Sequence, residues 1–351
     1  HFEAAGEDRE ALAYLWRAAE DARAKYDNTS AFDFLGRYVA LCEKAGASPA
    51  GDVQFRKGLL YLAEASKELG RLDETDRFCQ RILDAIALPC PESVTALSKL
   101  ADNLRRRGDP QGALETYEKA AGMARLLDDK VQQMHIVSDS GIPLAMSGRW
   151  NEAMDRFQQA EKLARKLKVH SSLVYAIMNQ GRCYQVGQRQ YSEAIRSFRK
   201  AQHVAERHQL RPHLVSVLTN KANVLFDMEQ YNNAARSIEG GLLIAKQFGY
   251  RQPYVSMLSN QALYQCMLGG WDEAGQLGER ALHLANHYAM TYLRGVNRHT
   301  LGMLAGQAGD LEGCIASQSA SVRDHVEVNY QDSARAALCE ILIAANQWLV
   351  P

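Results

Sequence analysis

The chain has 351 residues, 46% of them hydrophobic and 23% charged, with 41 basic and 41 acidic side chains. Those proportions belong to a folded chain and exclude a long disordered tail. The even charge balance argues against nucleic acid as a partner, because phosphate neutralisation supplies most of a nucleic-acid binder's affinity and calls for a basic excess or stripe.

At about 150 residues per domain the length predicts two or three domains, unless an internal repeat sets the organisation. The chain opens on His1-Phe2-Glu3-Ala4-Ala5-Gly6 without a starting methionine, which reads as the end of a helix. Residues 1–27 are therefore expected to be a leading helix that joins an upstream domain, the chain being a piece of a longer protein. From there one turn recurs. It begins as Asn28-Thr29-Ser30-Ala31, then Gly70-Arg71-Leu72-Asp73-Glu74-Thr75, then Gly108-Asp109-Pro110-Gln111-Gly112-Ala113. It continues as Gly148-Arg149-Trp150-Asn151-Glu152-Ala153, Tyr191-Ser192-Glu193-Ala194, Tyr231-Asn232-Asn233-Ala234 and Trp271-Asp272-Glu273-Ala274. The last copy is Gly309-Asp310-Leu311-Glu312-Gly313-Cys314. Successive copies lie 44, 38, 40, 41, 40, 40 and 40 residues apart, a register that random sequence does not hold.

Each copy opens a helix. Ala153 is followed at offsets of four, seven and eleven by Phe157, Ala160 and Ala164, and Ala113 and Ala194 lead to equivalent sets. Those offsets fall on one helical face, with small residues for close approach and one large residue to fill the gap. A second helix precedes each turn. It carries a small residue twelve positions before the reference alanine, as at Ala101, Gly141, Ala222, Ala262 and Gly302. Gly181 lies thirteen before Ala194, so the Gly187–Tyr191 turn is read as holding one extra residue. Pro110, Pro212 and Pro253 sit near helix starts, where a missing N–H costs nothing, and Asp109 is a good N-cap. The unit is helix, tight turn, helix, each helix ~25 Å long at 1.5 Å per residue.

Several positions break the pattern. Pro143 falls inside the first helix of the fourth repeat and predicts a kink or break there. It is a hinge candidate, the alternative being a kink tolerated in a well-packed array. Pro89 and Pro91 bracket a linker. Arg105-Arg106-Arg107 reads as a solvated helix end. Gly240, Gly241, Gly275, Gly278, Gly302, Gly306 and Gly313 lie in predicted helices, which makes the late repeats looser. Residues 327–351 read as a closing helix, with Ile341–Val350 and Trp348 as a surface for a second copy.

The chemistry is sparse. Seven cysteines stand far apart without a Cys-x-x-Cys pair, which points to a reducing, cytoplasmic setting. No stretch reaches the ~18–20 apolar residues of a membrane helix. There is no phosphate-binding Gly-x-x-x-x-Gly-Lys-Ser/Thr loop, no Gly-x-Ser-x-Gly and no kinase set. His283 and His287 share a helical face but lack a third ligand. His203, His208 and His213, five apart, spread round a helix end. No catalytic residue, metal or cofactor is assigned, and an enzyme is not expected within this chain.

The small and aromatic positions, the turn and the 40-residue step together resemble tetratricopeptide repeats of the long type, over residues 28–326. Kinesin light chains and many bacterial regulators carry that type. The opening His1–Ala22 stretch is similar to the junction after the nucleotidase module of bacterial STAND-type ATPases, where helical repeats form the sensor or docking arm. The resemblance implies an all-α fold, an α-α superhelix of about eight helix-turn-helix repeats, its concave face lined by first helices and suited to a protein or peptide. One column of first-helix residues, two before the small position, reads Lys99, Asp139, Asn179, Asn220, Asn260 and Thr300. An amide offers both donors and an acceptor to a peptide backbone, and in related repeats such an asparagine ladder clamps the peptide. The alternative is that these amides bond neighbouring helices or face solvent. Tyr175, Met178, Arg182, Gln185, Ser216, Asn223, Asp227 and Met267 are further concave candidates from the family's pattern. The resulting expectation is a scaffold or sensor module of a multidomain signalling protein. The rival readings are a small-molecule or signal-peptide sensor that changes superhelix pitch, and an oligomerisation scaffold.

Overall fold

The computed structural model describes residues 8–86 and 88–327, and these are helical, with no strand among the described residues. The helices form hairpins. In chain order α1 (Asp8–Ala24) pairs with α2 (Asn28–Lys44), and α3 (Val53–Glu68) with α4 (Leu72–Ala85). Next come α5 (Pro91–Arg106) with α6 (Pro110–Leu126), and α7 (Lys130–Met146) with α8 (Trp150–Leu167). The α9 helix (His170–Arg182) pairs with α10 (Tyr191–Arg207), and α11 (Arg211–Asp227) is joined to α12 (Tyr231–Phe248). The last pairs are α13 (Arg251–Met267) with α14 (Trp271–His287), and α15 (Thr291–Gln307) with α16 (Leu311–Glu327). Eight hairpins result among the described residues, an all-α fold of tetratricopeptide-type solenoid repeats. The segment before residue 28 supplies α1, the first helix of the first hairpin. Residues 327–351 lie almost wholly outside the described part, and so do Ile341–Val350 and Trp348.

Local chemistry stops and restarts each helix. Asp27, Asp52, Asp109, Asp129 and Asp310 accept hydrogen bonds from backbone N–H groups two or three residues on, at 2.8–3.3 Å, which satisfies donors that a helix start leaves open. The turn glycines Gly70, Gly108, Gly148, Gly269 and Gly309 take φ of +73 to +82°, the left-handed conformation that ends a helix.

Small and aromatic residues then meet. A Cβ placed on Gly141 would stand 2.7 Å from the Phe157 ring, and one on Gly181 would stand 2.9 Å from the Phe198 ring. These glycines let α7 and α9 approach the aromatic of the following helix. Phe157, Ala160, Ala164, Phe198, Ala201 and Ala205 are all buried, and each buried ring contributes about 1.5–3 kcal/mol. Where the aromatic is missing, hydrogen bonds replace it. Gln318 is fully buried against Gly302, its Oε1 2.7 Å from His299 Nδ1 and its Nε2 donating to the His299 carbonyl at 3.2 Å. Thr75, at an alanine position, donates its hydroxyl to the carbonyls of Ala63 and Arg71.

Two expectations are refined. The α7 helix runs unbroken through Pro143, which is buried beside Gly141 and Leu144. Packing of that face holds the helix although Pro143 lacks the N–H that would meet the Asp139 carbonyl. The extra residue of the fifth repeat enters the first helix as a π-turn, Cys183–Gly187, with Gln188 N–H bonded to the Cys183 carbonyl at 3.2 Å. Gly187 lies against the Trp150 ring, where no Cβ would fit.

Internal contacts divide the chain into two compact units, His1–His213 and Leu214–Pro351. In the first, the first helices α3, α5 and α7 touch in succession, and in the second α13 touches α15.

Candidate functional site

The first helices of the second to fifth hairpins enclose a polar recess of about 310 Å³. Lys67 comes from α3, Lys99 and Asp102 from α5, Asp139 and His135 from α7, and Tyr175 from α9. Because a helix repeats every 3.6 residues, the charged positions of each first helix fall on the stripe that its neighbours' stripes adjoin.

Most of these charges are paired across hairpins. Lys67 Nζ lies 3.0 Å from Asp102, and Asp102 also receives Arg105 at 2.6 Å and Arg106 at 3.4 Å. Burial opposes the Asp102 charge, but Lys67, Arg105 and Arg106 outweigh it and hold the carboxyl well below the usual carboxylate range. Glu64 pairs with Arg23 at 3.0 Å and stands 3.8 Å from Lys99. Burial pulls the Lys99 ammonium below its ordinary value, Glu64 only partly compensating. Asp139 differs: among the described residues it has no ion-pair partner. Burial, reinforced by the Asp102 charge, pushes its carboxyl up to about 7, with Lys67, Arg105 and Lys99 opposing. Tyr175 presents 36% of its surface to solvent. Burial of its phenol and the Asp139 charge raise it above the ordinary tyrosine value, and the Asn179 amide opposes. His135 Nε2 lies 2.9 Å from Ser172 Oγ, and burial lowers the imidazole.

The predicted residues divide accordingly. Lys99, Asp139 and Tyr175 converge on the recess. Asn179 lies one turn beyond Tyr175 on α9, 4% exposed, with a buried Nδ2 that has no hydrogen-bond partner. Arg182 is exposed at the end of α9, whereas Met178 is buried and belongs to the core. In the second unit Asn220 is half-buried and donates to the Ser216 carbonyl of its own helix at 2.8 Å. Asn223 accepts from the Tyr264 hydroxyl at 3.2 Å. Asn260 is half-buried, Thr300 is buried, and Asp227 and Met267 are exposed. The column is thus chemically mixed: one buried amide, one turned onto its own helix, and a buried threonine.

Spacing alone missed three features. Lys67 and Asp102, 35 residues apart on neighbouring first helices, form the paired wall of the recess. Their signal was opposite charges nearly one repeat apart, and Arg106 with Glu68 repeats it at 3.1 Å. The Arg105–Arg107 run is not simply solvated: Arg107 reaches Asp73 at 2.6 Å and Asp76 at 2.7 Å, so Arg106 and Arg107 tie the third hairpin to the second, while Arg105 pairs with Asp102 on its own helix. His203 and His208, which spacing spread apart, line one cavity with His170. No three His, Cys, Asp or Glu side chains among the described residues converge as a metal site requires, and no described helix is long and apolar enough to cross a membrane.

No protein-family model matches the chain, and no curated protein sequence matches it either. Solved structures do resemble it. A Rap protein complexed with competence and sporulation factor aligns over 97% of this chain and 98% of its own, at 10% identity and a TM-score of 0.59. The apo form of RapI aligns over 78% of this chain and 98% of its own, at 14% identity and a TM-score of 0.56. A STAND protein with a tetratricopeptide-repeat sensor from Pyrococcus horikoshii aligns over 90% of this chain and 48% of its own, at 11% identity and a TM-score of 0.56. At such identities the likeness is one of fold, and the fold it shows is the tetratricopeptide-type helical solenoid.

Proposed function

We propose that this chain is a protein- or peptide-binding sensor arm whose recognition surface is the recess on the first helices of the second to fifth hairpins. The observation that carries the reading is that recess. Four consecutive repeats each contribute chemistry to one concavity; its Asp139 carboxyl has no ion-pair partner among the described residues, and one turn beyond its Tyr175 the buried Nδ2 of Asn179 has no hydrogen-bond partner. Buried polar groups are ordinarily satisfied, so a segment that supplies a cation to Asp139 and a carbonyl to Asn179 would complete them. The exposed Tyr175 ring offers an amphipathic anchor of the kind enriched at binding hot spots. Support also comes from the neighbours, since one Rap structure holds competence and sporulation factor and the P. horikoshii repeats are described as a sensor. The paired charges on either side fix the shape of the recess rather than recognise anything.

The test is selection of short peptides from a random display library on the purified chain. Selected peptides should lose roughly tenfold or more in affinity on Tyr175→Ala and on Asp139→Lys, the equivalent of ~1.4 kcal/mol or more. Peptides that bind both variants as tightly as the parent chain would remove the recess from the reading.

A further inference from the structure

A second site lies away from the recess. A cavity of about 430 Å³ is bounded by the C-terminal halves of α8 and α10 and the start of α9. Its polar lining is cationic or imidazole throughout: Arg165 from α8, His170 from α9, and Lys200, His203, Arg207 and His208 from α10 and its end. Leu173 and Val204 supply an apolar floor. Among the described residues no carboxylate lines it. The acid that faces it from α8 is Glu161, which pairs with Arg165 at 2.7 Å and also acts on Lys200.

The charge is concentrated locally. From Trp150 to His208 the chain carries eleven Lys or Arg against five Asp or Glu, a net +6 in a protein whose total is zero. All three histidines of that stretch line this cavity. Cations near helix C-termini are ordinary, since they complement the macrodipole. What that explanation leaves out is their convergence from three helices around one concavity, and the stacking of His170 on His208. Those rings lie 3.5 Å apart between centroids and 11° from parallel. Two stacked imidazoles at that distance do not both carry a proton unless an anion compensates. Lys200, His203 and Arg207 form no ion pair among the described residues.

We infer that this cavity binds a small organic phosphate with a planar or apolar body, a nucleotide being the fitting class. Arg165, Lys200 and Arg207 less Glu161 leave two net positive charges, which match a phosphate dianion, and arginine offers the forked donors that phosphate oxygens accept. The body of the ligand rests on Leu173, Val204 and the stacked rings. The volume falls within the ~300–1,000 Å³ of small-molecule sites, well beyond what an inorganic ion fills. His208 is held below the ordinary imidazole value by partial desolvation, by His170 and by Arg207. A bound dianion reverses that balance and favours its proton, so binding and protonation of the stack are linked.

Titration of the whole chain with adenosine 5′-monophosphate, inorganic phosphate and adenosine, followed by calorimetry and by histidine ring resonances, tests the assignment. The monophosphate should bind roughly tenfold more tightly than either fragment. It should raise the titration midpoint of His208, and it should lose roughly tenfold or more in affinity on Lys200→Gln with Arg207→Gln at unchanged helicity. Equal binding of adenosine, unchanged affinity in the double variant, or an unmoved His208 midpoint at saturation would overturn it. Salt-sensitive binding of a DNA duplex with no response to the monophosphate would also overturn it, in favour of a polyanion surface. Because the peptide selection reads a different set of residues, failure of either proposal leaves the other standing.

Discussion

Asp139 shows how much one residue depends on its neighbours. Its place in the column two before Gly141 was plain in the sequence, but nothing there said that it would lack a cation while Asp102 collected three. The consequence for stability has a definite sign. A carboxyl held near 7 in the folded chain and near 4 when unfolded binds more protons folded than unfolded in between. Its ionisation therefore costs stability at high pH, and the cost disappears as pH falls through 7 towards 4. Asp139→Asn should stabilise the chain at pH 8 by on the order of 1–2 kcal/mol, discounted for its partial exposure, and by little at pH 5. Urea unfolding of both proteins at the two pH values measures this, and a difference independent of pH would contradict it.

At the scale of the helix, a residue type was legible where its reason was local and obscure where its reason was a partner. Turn glycines, N-cap aspartates and the Ala-aromatic-Ala face could be read directly, because helix geometry alone demands them. The π-turn at Cys183–Gly187 was legible only as a count of thirteen instead of twelve. Whether the surplus residue would swell the turn or the helix was decided by Gly187 meeting Trp150. The eighth hairpin makes the same point. Its α16 lacks the usual aromatic and is held by polar groups instead. Asp324, 3% exposed, receives Arg294 at 2.7 Å and Arg298 at 2.7 Å, and Ser321 donates to the Gly295 carbonyl at 2.8 Å. Removing one member of a buried ion set leaves the others uncompensated, at ~3–5 kcal/mol. Asp324→Ala should therefore unfold this hairpin at markedly lower denaturant while far-UV ellipticity in water stays close to that of the parent. Parent-like unfolding throughout would show that the arginines are solvated.

At the scale of the whole chain, repeat proteins hold together through contacts between neighbours, so local stability is free to differ along the array. Gly275 in α14, of the seventh hairpin, has open space where its Cβ would be, which is helix weakness without a packing gain. The fourth and fifth hairpins instead place Gly141 and Gly181 against aromatic rings. Amides of the seventh and eighth hairpins should exchange hydrogen faster than those of the third to fifth, as mass-resolved exchange can measure. Uniform protection would sink the idea. The zero net charge also proves uneven at this scale, since a +6 stretch from Trp150 to His208 is offset elsewhere in the chain.

The sequence by itself determined that the chain repeats, where its turns fall, and that the unit is a helical hairpin of tetratricopeptide type. Those features follow from backbone geometry and from periodicity, which act over a few residues and leave their mark in spacing. Only the tertiary structure decided which charges would meet. Lys67 finds Asp102 on the next hairpin, His170 stacks on His208 within its own, and Asp139 is left without a cation, because each pairing depends on the facing stripe of another helix, 35 and 38 residues away in the two pairs. A linear pattern records that a polar residue faces outwards from its own helix, but not whether the neighbouring helix answers it.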